Sequence, residues 1–468
     1  MRAWFTKTDH RCRRGWLIAL ILPAALGAQT LPRVSGLPED LLPELRPILK
    51  TAMDRSPQSI ANAINVVQSE ANRYNTDAPL WPSISGSATY GVTSAATSSS
   101  GSSSSKSSST GFSYSVNLNQ PIFQWGALKD RAEFGRIAVK ISERQYADAY
   151  RLLAGTIRSQ YLMLIYKHAI VRVTQNSLRF ATTALAVDEA RYKEGTISAA
   201  DLVPPRVSFA ETQLAADRSA ADFAGTKRIF MRLAGLTELP DESIPYEVPA
   251  PSHSAASADE VMQGFLRDGV GATFQGQIYT MQLRQADLNY RIARTGIYPK
   301  FSLSTGYGLN FNTDVSSGTV RQTQINQYNY GVSMNWTIFD GFATRGSKLS
   351  ALASKRATER QYQNYVDTMT ETVQVAREQL EFSARALALA EQRLGFARSG
   401  AQRTEEDFKA GLVSQAALDV ANSNLLSANA AIIIARADYL NRWADFVSQT
   451  GVDPVISNLP ARYVRSTK

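Results

Sequence analysis

The chain of 468 residues contains an internal duplication, which constrains its fold more than any other feature of the sequence. The segment 81–91 aligns with the segment 298–308, and five of the eleven aligned positions are identical. The segment 193–198 aligns with the segment 409–414 at an offset of 216 residues. Self-similarity over this length indicates repeated structural units. The sequence therefore predicts two copies of one unit within a single chain.

The repeat and its flanking segments predict five parts of the chain. The segment between the two units is rich in proline and has the composition of an irregular connector. The predicted parts are residues 1–28 as a signal peptide, 29–235 as the first unit, 236–257 as the proline-rich linker, 258–451 as the second unit and 452–468 as a C-terminal tail.

The first 28 residues have the pattern of a secretory signal peptide. Basic residues precede an apolar run from Trp16 to Leu26, and the small residues Gly27 and Ala28 follow it. An uncleaved membrane anchor is the alternative, but the run is only about half of the roughly 20 residues that a spanning helix needs. Removal of this segment leaves 45 basic and 40 acidic residues, so the formal net charge falls from +9 to +5. It also removes the only cysteine, Cys12.

The composition excludes several classes of protein. One cysteine and three histidines are too few for a zinc ribbon, an iron–sulfur site or a disulfide scaffold. His168 and His253 have no partners at metal-ligand spacing, and no nucleophile elbow or phosphate-binding loop occurs. We therefore expect no enzyme activity, no catalytic residue, no cofactor and no metal site, and His168 is expected to be a surface or interhelical residue. The small net charge of the mature chain does not favour nucleic-acid binding.

Four segments alternate between apolar and small polar residues with a period of two, which predicts β-strands. The predicted strands are about 83–92, 112–122, 300–311 and 328–338. This alternation over about ten residues is typical of membrane β-barrel strands, which have one face in lipid and one in water. Two hairpins of a soluble sandwich are the alternative. The polar, low-complexity segments 94–109 and 312–327 favour the barrel, because they are predicted to form long surface loops outside a cell.

The rest of each unit is predicted to be helical. The segments 127–192 and 344–408 contain no proline, and apolar or small residues recur at intervals of four and three, which indicates a coiled-coil seam. At 1.5 Å per residue, each helix would be about 100 Å long. The seams are rich in alanine and interrupted by polar residues, so these helices need neighbours. We expect no stretch after the signal peptide to be long and apolar enough for a transmembrane helix.

Four strands cannot close a barrel, because single-chain barrels have at least about eight strands. An open sheet edge in lipid would leave backbone groups unpaired. Several chains must therefore pool their strands, and three chains supply twelve. A homotrimer would give a hollow tube in contact with outer-membrane lipid that continues about 100 Å into the periplasm.

The order helix, strand, strand, long helix, turn, helix occurs twice, and the segments Gln120–Phe123 and Trp336–Gly341 lie at the strand-to-helix junctions. In this order and duplication, the chain resembles the TolC family of outer-membrane efflux proteins over about residues 40–451. The resemblance implies a mainly α fold with a β-barrel part, in which a trimeric twelve-strand barrel in the outer membrane continues as a periplasmic coiled-coil tunnel. It also implies the exit duct of a tripartite efflux pump or type I secretion system. Its partners would be a periplasmic adaptor (a membrane fusion protein) and an inner-membrane transporter of the RND, ABC or MFS type.

Each long helix is predicted to end at a glycine turn, followed by a serine that caps the returning helix. A helix stop of this kind is a complete local explanation, whereas the family resemblance implies that these turns contact the adaptor. The tip residues are Gly195, Thr196, Ile197 and Ser198 in the first unit and Gly411, Leu412, Val413 and Ser414 in the second.

The resemblance also implies a periplasmic gate near the tips, where this sequence departs from the family. Asp201 matches an aspartate of a polar latch, but Phe408 stands where the hydroxyl-bearing partner would be. Ala417 and Val420 occupy positions at which family members carry aspartates that line the constriction, and the nearest acid is Asp419. We therefore expect an apolar aperture. In the local interpretation, the two aspartates are simply acids favoured by the dipole at a helix N-terminus.

A non-channel coiled-coil protein of the cell surface, structural or adhesive, is the alternative function. It would use the same long helices but would neither oligomerise in a membrane nor conduct ions. Oligomer mass and conductance therefore distinguish the two hypotheses.

Overall fold

A computed structural model of the chain describes residues 36–97, 105–251, 255–316, 319–451 and 453–455. All of these residues belong to one compact unit within Val34–Lys468. The predicted signal peptide, His253 and most of the predicted C-terminal tail lie outside the described residues.

The two halves of the chain have the same order of long elements. The first half contains α1 (Pro38–Leu41), α2 (Leu45–Arg55), α3 (Pro57–Asp77), β1 (Ser83–Thr97), β2 (Ser105–Phe123), α4 (Ala127–Lys193) and α5 (Ala199–Ala234). The second half contains α6 (Ala255–Asp268), α7 (Phe274–Arg294), β3 (Lys300–Ser316), β4 (Thr319–Asn335), α8 (Ala343–Lys409) and α9 (Gln415–Gln449). Helix, two strands, long helix and returning helix thus follow one another twice.

The helices α4 and α8 are the longest elements, with 67 residues each. Their ends lie within one residue of the predicted bounds, because no proline interrupts either helix and a glycine with positive φ follows each one. At 1.5 Å per residue, each is about 100 Å long. α4 packs against α5 and α9, and α8 packs against α9 and α7.

The strands are longer than the sequence predicted. β1 continues to Thr97 and β2 begins at Ser105, while β3 continues to Ser316 and β4 begins at Thr319. The prediction of long polar loops at 94–109 and 312–327 was therefore wrong for the described residues. The physical reason is that ladder hydrogen bonds join backbone groups, so serine and threonine can continue a strand without adding apolar surface. At its other end β4 stops at Asn335, three residues before the predicted end at 338.

The four strands form one antiparallel sheet in the order β1, β2, β3, β4. The register aligns Ile84 with Leu118, Leu118 with Thr305 and Thr305 with Tyr330. The next row on the same face aligns Gly86, Val116, Tyr307 and Tyr328. The side chains of Tyr328 and Tyr330 are 74% and 87% exposed. Alternation along each strand thus gives a largely apolar face that this chain leaves uncovered, and toward the hairpin end this face carries the amides Asn326, Gln324 and Gln322 of β4.

The opposite face of the sheet is polar. One of its rows aligns Ser85, Asn117, Gly306 and Asn329. A Cβ at Gly306 would lie 2.4 Å from the Asn117 side-chain oxygen and 2.7 Å from that of Asn329, so the two amides approach each other over the glycine. The sheet therefore has the two-sided character of a barrel strand set, with an apolar face and an amide- and hydroxyl-rich face.

The core surrounds the middle of α4. Leu153, Ile157, Tyr161 and Leu164 are fully or almost fully buried there, and helices α2 and α9 pack against this part of α4. A smaller apolar cluster, formed by Ile137 and Ile141 of α4 with Ile278 and Leu288 of α7, lies closer to the sheet.

Arg158 lies in this core and binds both ends of the described chain. Its guanidinium donates to Glu39 at 2.5 and 2.9 Å and to Asp453 at 2.6 and 3.0 Å. Burial would lower the pKa of Arg158, but the hydrogen bonds and charges of Asp453 and Glu39 outweigh burial and raise it. The arginine remains charged and fixes the segment before α2 and the segment after α9 to one point on α4.

By length and composition alone, α9 could cross a membrane. The expectation that no stretch after the signal peptide has these properties was therefore wrong. The apolar character comes from small residues and from Ile432 to Ile434, while Leu440, Trp443 and Phe446 are buried in the core. A helix that packs in a protein core has this composition for the same physical reason as a membrane span.

Replacement of Arg158 by methionine is expected to lower the free energy of unfolding by about 3–5 kcal/mol, because two buried carboxylates lose their counter-charge. Guanidinium unfolding followed by tryptophan fluorescence measures this change. Arg206→Met is the control, since Arg206 makes an exposed ion pair with Glu189 at 3.3 Å, worth at most about 1 kcal/mol. Equal effects of the two substitutions would contradict a stabilising role for Arg158.

Candidate functional site

The first helical tip joins α4 to α5 through a tight turn at Gly195. This glycine has φ of 76°, its N–H donates to the Tyr192 carbonyl at 3.0 Å, and the Thr196 N–H donates to the Arg191 carbonyl at 2.9 Å. The pair of bonds is the Schellman arrangement, which ends a helix by satisfying its last carbonyls. A Cβ at Gly195 would meet no atom within 4 Å, so only the backbone conformation requires glycine here.

The second tip, between α8 and α9, repeats this geometry. Gly411 has φ of 74°, its N–H donates to the Phe408 carbonyl at 2.9 Å, and the Leu412 N–H donates to the Asp407 carbonyl at 2.8 Å. The Leu412 side chain is 75% exposed. The two tips therefore present the same backbone shape but different side chains.

Ser198 and Ser414, the last residues of the two tips, cap the returning helices, as the sequence predicts. Ser198 and Asp201 form a capping box, in which the Ser198 Oγ accepts from the Asp201 N–H at 3.3 Å and Asp201 accepts from the Ser198 N–H at 3.0 Å. Hydrogen bonds from the Ser198 side chain and backbone lower the pKa of Asp201. At the second tip, Ser414 accepts from the Ala417 N–H at 3.3 Å, and Ala417 has no side chain that could return the bond.

The structure gives each predicted gate residue a local position. Asp201 is exposed, and its carboxylate accepts hydrogen bonds from Ser198 in the capping box. Phe408 lies half-buried in the last turn of α8. Asp419 accepts from the Gln415 amide at 3.0 Å. Val420 is 61% exposed on the second turn of α9. The gate assignment of these residues remains a prediction, while the local cap interaction of Asp201 is present.

Two residues that the sequence predictions did not include lie next to the first tip. Pro204 and Pro205 are inside α5, in its second turn, and proline lacks the N–H that the carbonyl four residues earlier would accept. The corresponding residues of α9, at the repeat offset of 216, are Val420 and Ala421. The signal in the sequence is a proline pair six and seven residues after the helix cap, present in only one of the two repeats.

Within the residues that the structure describes, no group of three or more His, Cys, Asp or Glu side chains is placed to hold a metal ion. The tips consist of backbone turns, helix caps and one strongly exposed apolar side chain, that of Leu412.

The fold defines the class of protein. The chain matches the Campylobacter jejuni CmeC outer membrane channel with a TM-score of 0.71 and 16% identity, covering 90% of this chain and 89% of that one. It matches the open state of the Neisseria gonorrhoeae MtrE outer membrane channel with a TM-score of 0.64 and 16% identity, covering 87% of this chain and 89% of that one. At these identities the likeness establishes the fold, which is that of TolC-like outer-membrane channels with helical tunnels.

The sequence establishes the family. The chain belongs to the outer membrane efflux protein family, which matches residues 48–222 and 279–452. A relative, the pyoverdine export outer membrane protein OpmQ of Pseudomonas putida, is 23% identical over 299 residues. The matched region spans 62% of this chain and 62% of that relative's length. The resemblance to the TolC family is confirmed, and family and fold place the chain in the outer membrane with its helical tunnel in the periplasm.

Proposed function

We propose that three copies of the chain close into a tube that serves as an exit duct for efflux across the outer membrane. The observation that carries the proposal is the sheet order, which leaves β1 and β4 as edge strands in the described part of the chain. All neighbouring strands are antiparallel, so β1 and β4 run in opposite directions. β4 of one copy can therefore pair antiparallel with β1 of the next, and a ring of copies has no open edge.

The helical part has corresponding edges. α4 packs against α5 and α9, and α9 packs against α8, so α5 and α8 lie at the two ends of this row of helices. Both end helices expose apolar stripes, which consist of Val203, Val207 and Leu214 on α5 and of Val375, Phe382, Leu389 and Phe396 on α8. The α8 residues recur every seven positions, which is the seam of a coiled coil. The occupant that we assign to these stripes is a second copy of the chain.

Three copies supply twelve strands, above the minimum of about eight for a closed barrel, and the likeness to the TolC family supports this number. In the tube, the apolar face of the sheet contacts lipid and the polar face lines the lumen. Such a duct needs no catalytic group, so we propose a conduit and not an enzyme.

The proposed partners are a periplasmic adaptor at the tips and, beyond it, an inner-membrane transporter. The support is the position of both tips at the ends of α4 and α8 that are remote from the strands. The family name supports efflux, and the name of the Pseudomonas putida relative supports a small exported molecule more than a protein cargo of type I secretion.

Two measurements test the assembly and the duct. Light scattering with detergent correction gives the mass of the mature protein extracted from outer membranes, and planar bilayers give its conductance. A mass of three chains with stable conductance supports the proposal. A monomer without conductance would favour the structural or adhesive coiled-coil protein.

Replacement of Phe382 by glutamate is expected to convert most of the trimer to smaller species, because a charge would be buried against α5 of the neighbouring copy. Phe382 is 65% exposed in the single chain, so the fold of one chain does not depend on this side chain. The control is Ala384→Glu, because Ala384 is exposed, lies two residues along α8 and points to a different face. Light scattering that finds equal trimer fractions in both variants would exclude the α8 stripe as an interface.

The double variant Gly195→Val, Gly411→Val is expected to lose efflux while it keeps trimer mass and conductance, because valine is strained at positive φ and the change is confined to the turns. Asparagine tolerates this conformation, so Gly195→Asn with Gly411→Asn is the matched control. Dye accumulation in host cells that carry each variant in place of the native chain measures efflux. Normal efflux with both valines would exclude the tips as the adaptor contact.

Replacement of Val420 by aspartate is expected to make the channel more selective for cations, because three carboxylates would then lie at the proposed apolar aperture. Reversal potentials in a potassium chloride gradient measure this selectivity. The control is Asn422→Asp, which places the same charge at nearly the same height on a different face of α9. If both variants shift the reversal potential equally, Val420 does not line the aperture.

A further inference from the structure

A cavity of about 640 Å³ lies beside the middle of α4, away from the tips and the sheet. α4 contributes His168 and Arg172 to its lining, α5 contributes Phe223 and Arg228, and the linker after α5 contributes Tyr246. A cavity of this volume can hold one small organic ligand. From the sequence we expected His168 to be a surface or interhelical residue, and the proposed duct does not use the residues of this cavity.

His168 is held between two aromatic rings. Its ring centroid lies 4.8 Å from that of Phe223, with an interplanar angle of 12°, and 3.9 Å from that of Tyr246, with an angle of 25°. The side chain is 94% buried, since its exposed fraction is 6%. This stack fixes the imidazole plane and leaves the Tyr246 side chain half exposed as one wall of the cavity.

The hydrogen bond of His168 fixes which nitrogen remains free. Nδ1 lies 3.1 Å from the Ile244 carbonyl oxygen, which can only accept, so Nδ1 carries the proton. Among the described residues, Nε2 has no hydrogen-bond partner. In the neutral ring Nε2 is an acceptor, and it can receive a hydrogen bond from a hydroxyl group of a ligand.

The cavity is also positively charged. Arg172, Lys227 and Arg228 line it, and Asp241, the only acid among the described lining residues, forms an ion pair with Lys227. Neither arginine has an ion pair with any described residue. The Arg172 guanidinium carbon lies 5.4 Å from the Tyr246 ring centroid, so the cation borders the aromatic wall. Guanidinium groups match the planar geometry of a carboxylate.

We propose that this cavity binds a small organic carboxylate with a flat body that carries a hydroxyl group. Arg172 and Arg228 hold the carboxylate, Tyr246 contacts the flat body, and the hydroxyl donates to Nε2 of His168. The site goes beyond the proposed duct, because binding requires neither conductance nor pump partners. The ligand would join α4, α5 and the linker, so it would also raise the melting temperature of the protein.

Calorimetric titration of the detergent-extracted mature protein with 4-hydroxybenzoate tests the site. Saturable binding in the millimolar range or tighter is expected, and the uncharged 4-hydroxybenzamide should bind at least tenfold more weakly. The double variant Arg172→Gln, Arg228→Gln should also weaken 4-hydroxybenzoate binding at least tenfold. The control, Arg179→Gln with Arg218→Gln, removes two exposed arginines of the same helices that do not line the cavity, and it should bind normally.

A third variant tests the hydroxyl contact. His168→Phe keeps an aromatic ring between Phe223 and Tyr246 but removes Nε2, so 4-hydroxybenzoate should lose its preference over benzoate while benzoate still binds. Retained benzoate binding also shows that the variant is folded. Absence of saturable binding to the wild type, equal binding of the amide, or equal losses in the two double-arginine variants would overturn the proposal.

Discussion

The pairing of backbone groups at the edges of the sheet is the constraint on which the rest of the structure depends. In lipid, an unpaired N–H or carbonyl costs several kcal/mol, so a sheet that spans a membrane has to close. The four strands of this chain leave β1 and β4 as edges in the part that the structure describes. The helices outside the membrane also have open edges. There, α5 and α8 expose apolar side chains to water at the two ends of their row. In the proposed tube, one chain is a segment of the ring, and pairing with neighbouring copies closes these edges.

The duplication gives the two helical hairpins the same geometry, and they differ at a few positions near the tips. Both tips have the same Schellman turn, and the two long helices have the same length. Close to the tips, however, α5 has a capping box and a proline pair, whereas α9 has Ala417, Val420 and Ala421 at the corresponding positions. Two missing helical hydrogen bonds make the start of α5 a natural place for bending. A tube of alternating hairpins would thus contain bendable and regular hairpins in turn around its periplasmic end.

The sequence predicted the parts of this fold that depend on local chemistry. The ends of α4 and α8 were correct to one residue, because absent prolines and left-handed glycines act locally, and the apolar faces of the strands followed from their alternation. The strand ends were not predicted, because ladder bonds at the serine-rich positions involve only the backbone. The Arg158 cluster was not predicted either, since Glu39 and Asp453 lie 119 and 295 residues away in the chain. The cavity at His168 likewise depends on three segments that only the tertiary fold brings together.

The polar face of the sheet bears on where an efflux duct of this kind discriminates between cargoes. From the level of Ser302 to that of Asn312, this face carries no charged residue among the described strand positions. Lys300 lies at one end of it, and Asp314 lies opposite Arg321 at the other. In the proposed tube, a lumen lined by hydroxyl and amide groups would present no strong electrostatic barrier to ions of either sign. Selection by charge would then have to occur at the proposed periplasmic aperture or in the proteins that deliver the cargo, and at that aperture the side chain at Val420 would matter more than any residue of the barrel.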